Sequence, residues 1–176
     1  MALETLLGDS IITTQMNEAL NWGRKNSLWP MPFGTACCAI EFMSVVSSGF
    51  DLSRFGAELV RFSPRQSDLL LVAGTITYKQ APILKQVYAQ MADPKWVISM
   101  GACACSGGFY DNYCTVQGID EIIPVDVYIA GCPPRPEAII EAIVKLQEKV
   151  QSGEKAAVMI GEKPRGIMIG DQQRDH

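Results

Sequence analysis

Short apolar runs alternate with stretches of helical spacing through most of this chain. Five runs read as strands: Leu28 to Phe33, Glu58 to Phe62, Leu69 to Ala73, Trp96 to Met100 and Val125 to Ala130. The last three are nearly unbroken in apolar character, as strands covered on both faces of a parallel sheet must be. Between them, Leu84, Val87, Tyr88 and Met91 recur at i, i+3, i+4 and i+7, with Pro82 tolerated in the first turn. Ile139, Ile143, Leu146 and Val150 mark a second helix. Pro136 stands near its start, Lys145 and Lys149 lie toward its end, and Glu141 sits one turn before Lys145. Strands alternating with helices predict an α/β sandwich on a mostly parallel sheet.

The two ends differ from this pattern. Residues 1–26 read as a helical arm, with Ile12, Met16, Ala19 and Leu20 on one face and Trp22, Arg24, Lys25 and Trp29 following. Trp beside Arg and Lys suits a membrane interface or a partner's groove. A helix capping the chain's own core fits equally well. From Ser152 onward no long periodic segment appears, so residues 152–176 are expected to form an extended or loosely ordered extension. The expected organisation is an amphipathic arm at 1–26, one domain at 27–151 and that extension. No internal repeat is visible.

Composition narrows the function classes. With 176 residues and 48% hydrophobic content, the chain can bury one core. Its 19% charged content, with 8 Met and 10 Pro, points to a surface partly covered by partners. A net charge of −4 with no basic stripe excludes nucleic-acid binding, which needs a concentrated positive footprint. The longest apolar run, Leu69 to Ala73, is far short of the roughly 18 residues of a membrane helix. At a membrane the chain would lie against the surface or dock on a subunit that spans it.

The six cysteines carry the chemistry. Met1 to Ser10 has neither the charged start nor the apolar run of an export signal, so a reducing compartment and metal binding are expected rather than disulfides. Cys37 and Cys38 follow the first candidate strand, Cys103 follows the strand ending at Met100, and Cys132 follows the strand ending at Ala130. Ligands of an open α/β sheet collect outside the carboxyl ends of its strands, so these thiols can converge on one crevice. No two of the six have the C-x-x-C spacing of a zinc knuckle. Adjacent Cys37 and Cys38 can reach different irons of a cluster but would crowd a single zinc ion, so the spacing favours an iron–sulfur cluster. Cys105 and Cys114 share a loop with Cys103, and spacing alone does not choose between Cys103 and Cys105. Gly101, Gly107, Gly108 and Gly131 allow close backbone approach to such a group, and Pro133 and Pro134 stiffen the chain after Cys132. Arg135 can offset a cluster's negative charge or form a surface ion pair. Glu41, one turn after Cys37, can face the cluster region or sit solvated.

Four segments in order, TACCAIEFM (Thr35 to Met43), FGAELVRFSPRQSDLLLVAGT (Phe55 to Thr75), PKWVISMGAC (Pro94 to Cys103) and VDVYIAGCPPRPEA (Val125 to Ala138), closely resemble the B, or PSST-type, subunit of respiratory complex I, the proton-pumping NADH:quinone oxidoreductase. The likeness covers roughly Asn21 to Val150. It implies a flavodoxin-like three-layer sandwich and one 4Fe–4S cluster that donates electrons to quinone. The family's ligands map to Cys37, Cys38, Cys103 and Cys132, leaving Cys105 and Cys114 outside the set. Ala39, Ile40 and Met43 would line a quinone cavity shared with a hydrogenase-like large (D-type) subunit. A ferredoxin-like cluster subunit and a membrane-arm subunit would be further partners. The chain would then act peripherally on the cytoplasmic side of the inner (plasma) membrane, as part of an enzyme and not alone. Two rivals remain at this point. The small subunit of a membrane-bound nickel–iron hydrogenase would keep fold and cluster but not quinone, and a structural zinc protein would do no redox work.

Overall fold

The computed structural model describes residues 11–153 and 167–169. Five strands, β1 (Pro30–Gly34), β2 (Leu69–Ala73), β3 (Trp96–Met100), β4 (Val127–Ile129) and β5 (Ile167–Ile169), make one sheet with every neighbouring pair parallel. The described helices are α1 (Ile11–Lys25), α2 (Cys37–Val46), α3 (Ala81–Gln90), α4 (Ala102–Ser106) and α5 (Pro136–Gln151). Side chains alternate across the strands. Leu69, Leu71, Ala73, Trp96, Ile98 and Met100 pack with α2 and α5, whereas Leu70, Val72 and Val97 pack with Leu84 of α3 and Ala104 of α4. This is the expected three-layer α/β sandwich. Its strands run across the sheet in chain order, where a flavodoxin places its first strand inward of its second.

The unbroken apolar runs become β2 and β3 over the expected residues, and every position in both is buried. α5 starts at Pro136 and buries Ile139, Ile143, Leu146 and Val150, with Glu141 and Lys145 paired at 2.8 Å on its outer side. Its last turn also sends Lys149 inward, where Nζ lies 2.8 Å from Asp126 Oδ1. Asp126 Oδ2 accepts the Val97 N–H at 2.9 Å, so the carboxylate joins α5 to the start of β3.

Three expectations change. The run Glu58 to Phe62 is not a strand; Arg61 N–H donates to Pro30 O at 2.9 Å and nothing more of a ladder forms. Residues 30 and 32 are the β1 positions that face this edge, and both are proline, so the N–H groups a second ladder needs do not exist. The extension contributes Ile167–Ile169 as a strand beside β4; its other residues from 154 on lie outside the described part. The arm is helical from Ile11, and Met1 to Ser10 lie outside the described residues. α1 turns polar Asn21 and Lys25 toward the body, with Lys25 Nζ donating to Gln151 Oε1. Met16, Leu20 and Trp22 are each more than half exposed. The described apolar positions Met16, Ala19 and Leu20 therefore point away from the core.

Candidate metal centre

The cysteine-bearing loops leave the sheet at one end. After β1, Thr35 N–H donates to Ala73 O at 3.0 Å and Thr35 Oγ1 to Thr75 O at 2.7 Å, fixing the chain just before α2. α2 opens with Cys37 and Cys38, and its N-cap, Ala36, offers no side-chain acceptor. Ala39 N–H closes the first turn on Ala36 O at 3.0 Å, and the N-terminal end of the helix dipole favours negative charge beside the two sulfurs. Gly101 N–H donates to Ile129 O and Ala102 N–H to Gly131 O, each at 2.8 Å, so the loops carrying Cys103 and Cys132 are bonded to each other.

Two glycines are needed for this closeness. Gly101 has φ +88°, and a Cβ there would overlap the Cys38 sulfur. Gly131, at φ +144°, would place a Cβ 2.5 Å from Pro134 Cα. Cys38 and Cys103 are buried, while Cys37 and Cys132 are exposed; all six cysteines are free thiols. Burial, then the charges of Cys37, Cys103 and Cys132, push the Cys38 thiol up to about 12. Desolvation and like charge outweigh the helix dipole at this sulfur. Cys38 therefore lies within electrostatic range of Cys37, Cys103 and Cys132, which follow three strand ends. The described residues include no group of three or more His, Cys, Asp or Glu side chains arranged to hold a single metal ion.

The other two cysteines face elsewhere. Cys105 Sγ lies 3.3 Å from Ser99 Oγ, 3.5 Å from Ser99 O and 3.7 Å from Ile129 O. Cys114 is exposed, with its sulfur 3.0 Å from Asn112 Oδ1. Glu41 is half-buried on α2 and Arg135 is exposed at the N-cap of α5. Gly108 lies against Cys103: a Cβ there would stand 3.3 Å from its sulfur.

Beside α2 lies an apolar cavity of about 340 Å³, lined by Pro32, Gly34, Ala39, Phe42, Met43, Val46, Val60 and Phe62. Ala39 and Met43 line it as expected. Ile40 does not; it points outward and is 69% exposed. Phe42 and Val46 follow Ala39 at i+3 and i+7, a helical spacing legible beforehand. Phe62 sits in a segment without periodicity and carried no such signal. A second cleft of about 380 Å³ lies at the other end of the sheet between Trp29, Asp68 and Trp96, away from every cysteine.

Residues 36–146 match the family described as "NADH ubiquinone oxidoreductase, 20 Kd subunit". Relatives include the B-type subunit of NADH-quinone oxidoreductase from Aliarcobacter butzleri (strain RM4018), 72% identical over 152 residues that span 86% of this chain and 89% of that one. The corresponding subunit from Pelobacter propionicus (strain DSM 2379 / NBRC 103807 / OttBd1) is 57% identical over 158 residues, 90% of this chain and 96% of its own. Among solved structures, a chain of the membrane-bound sulfane sulfur reductase, an archaeal respiratory membrane complex, superposes with a TM-score of 0.75 at 42% identity over 80% of this chain and 79% of that chain.

Proposed function

The chain belongs to the family of the 20 kDa subunit of NADH ubiquinone oxidoreductase, and on that premise we propose that it carries one 4Fe–4S cluster on Cys37, Cys38, Cys103 and Cys132 and passes electrons to quinone within a membrane-bound oxidoreductase. The observation that carries this reading is that the Cys103 and Cys132 loops are bonded to each other with Gly101 against the Cys38 sulfur, which brings free thiols from three strand ends near one another, two of them buried. As thiolates, the two buried sulfurs, those of Cys38 and Cys103, require cations beside them. Such a cluster supplies a one-electron carrier whose potential follows its charge, hydrogen bonding and burial. The chain's part is to hold the four sulfurs, to set the N-terminal end of α2 beside Cys37 and Cys38, and to exclude water around Cys38 and Cys103.

Quinone is supported by the cavity at α2. All eight lining residues are apolar or glycine, which suits a ring and an isoprenoid tail. No lining side chain can bond a quinone oxygen, so that group must come from another subunit. Phe62 and Met43, which line the cavity, are exposed, and a hydrogenase-like large subunit packed here would complete it. No helix among the described residues is long and apolar enough to cross a membrane. The outward apolar side of α1 supports peripheral attachment to a membrane-arm subunit, which we place on the cytoplasmic side. A ferredoxin-like subunit would deliver the electrons.

Metal and sulfide analysis of the purified complex, with low-temperature EPR during quinone titration, tests the reading. Iron and acid-labile sulfide in equal amounts are expected, with a paramagnetic signal that quinone oxidises and that Cys103→Ser abolishes. Stoichiometric zinc would overturn the electron-carrier role. Hydrogen uptake without quinone reduction would move the chain to the hydrogenase reading.

A further inference from the structure

We propose that Cys105 is a positioning residue, a latch that ties the ends of β3 and β4 together and so fixes where Cys103 and Cys132 stand. This rests on the cluster reading above but assigns Cys105 a task outside the ligand set. α4 has five residues, too few to hold its own orientation by helical bonding. Its hydroxyl side chain, Ser106, bonds back within the helix to Ala102 O. Cys105 instead reaches both strands that carry ligand loops. Its sulfur lies 3.3 Å from Ser99 Oγ and 3.5 Å from Ser99 O on β3, and 3.7 Å from Ile129 O on β4.

The bonding is complementary. The single S–H serves one carbonyl at a time, and while it does so the sulfur can accept from the Ser99 hydroxyl. Ser99 is fully buried in β3, so its hydroxyl needs a partner, and Cys105 is adjacent to it. Ile129 O also accepts the Gly101 N–H at 2.8 Å, so three ties from the Cys103 loop meet at the ends of these strands. Cys103 lies two residues before the latch, and Cys132 three residues after Ile129. Small movements of α4 therefore translate directly into movements of ligand sulfurs.

The test compares the wild-type complex with Cys105→Ala, Cys105→Ser and Ser99→Ala/Cys105→Ala, reading iron release to a chelator, the EPR line shape and thermal stability. Cys105→Ala is expected to release iron about tenfold faster and to broaden the signal, since a buried tie is lost and a hydroxyl orphaned. Cys105→Ser, which keeps a donor and an acceptor, is expected to stay close to wild type. The double variant removes the orphaned hydroxyl, so thermal stability should recover while fast iron release persists. Wild-type release and line shape in Cys105→Ala would overturn the latch. Loss of the cluster in Cys105→Ser would instead make the thiolate a ligand, and normal iron retention in the double variant would reduce Cys105 to packing. A wild-type complex without iron and sulfide overturns the cluster reading beneath it.

Discussion

Gly101→Ala places one methyl group between two parts of the thiol crevice. Gly101 has φ +88° and ψ 160°, a conformation that side chains other than glycine's avoid at about 1–3 kcal/mol. The larger effect is local: the new Cβ would overlap Cys38 Sγ, with Gly131 O only 3.5 Å away on another side. To restore ordinary contact the sulfur must retreat by roughly 1 Å, several times the ~0.2 Å within which metal–ligand distances hold. Cys38 is buried under Phe42 and the sheet, so it has little room to move as a unit. Gly153→Ala is the control, with φ +73° and only an Asn21 amide at 3.3 Å, far along α5 from the cysteines. Both variants strain the backbone, but only Gly101→Ala displaces a sulfur. Iron and sulfide content per assembled complex, with EPR of the reduced state, should show most of the cluster lost in Gly101→Ala and kept in Gly153→Ala. A full cluster with an unchanged signal in Gly101→Ala would refute the claim that Cys38 faces the group across Gly101.

Asp126→Asn leaves Lys149 buried without its counter-charge, which costs about 3–5 kcal/mol and lowers the melting temperature by about 10 °C; Asp126→Asn/Lys149→Met should recover much of that in a thermal scan. Phe62→Ala opens the wall of the cavity and is expected to raise the KM for quinone while NADH still reduces the cluster at the wild-type rate. Burial raises the Asp68 carboxyl above its ordinary 3.8, partly opposed by the Trp29 N–H it accepts. Its contribution is therefore complete below that value and lost as pH rises through the raised one. Denaturant midpoints across that window should fall more for wild type than for Asp68→Asn, and parallel curves would count against a buried charge there.

Much of the sandwich could be read beforehand because its signals are local. Leu69 to Ala73 and Trp96 to Met100 are apolar without interruption, and a strand covered on both faces leaves no other pattern. Glu58 to Phe62 is a short run with three apolar residues, as a strand could be, yet pairing depends on a neighbour's free N–H groups, and Pro30 and Pro32 remove them. The arm's amphipathic spacing was equally plain. Which side would face the body was not, because Gln151, the partner of Lys25, lies at the far end of the chain.

The sequence by itself determined the inventory: six thiols, three groups of them each following an apolar strand, glycines beside them, and a chain too acidic for nucleic acid. Folding decided the geometry. Cys103 and Cys105 are two residues apart and equal in chemistry, and only the packing of α4 sets one sulfur beside Gly108 and the other against Ser99 and Ile129. The cavity likewise joins α2 to Phe62 across a connection with no periodicity. Patterns along a chain record which side of an element is buried, but the meeting of distant side chains depends on crossings and close approaches that no local window contains.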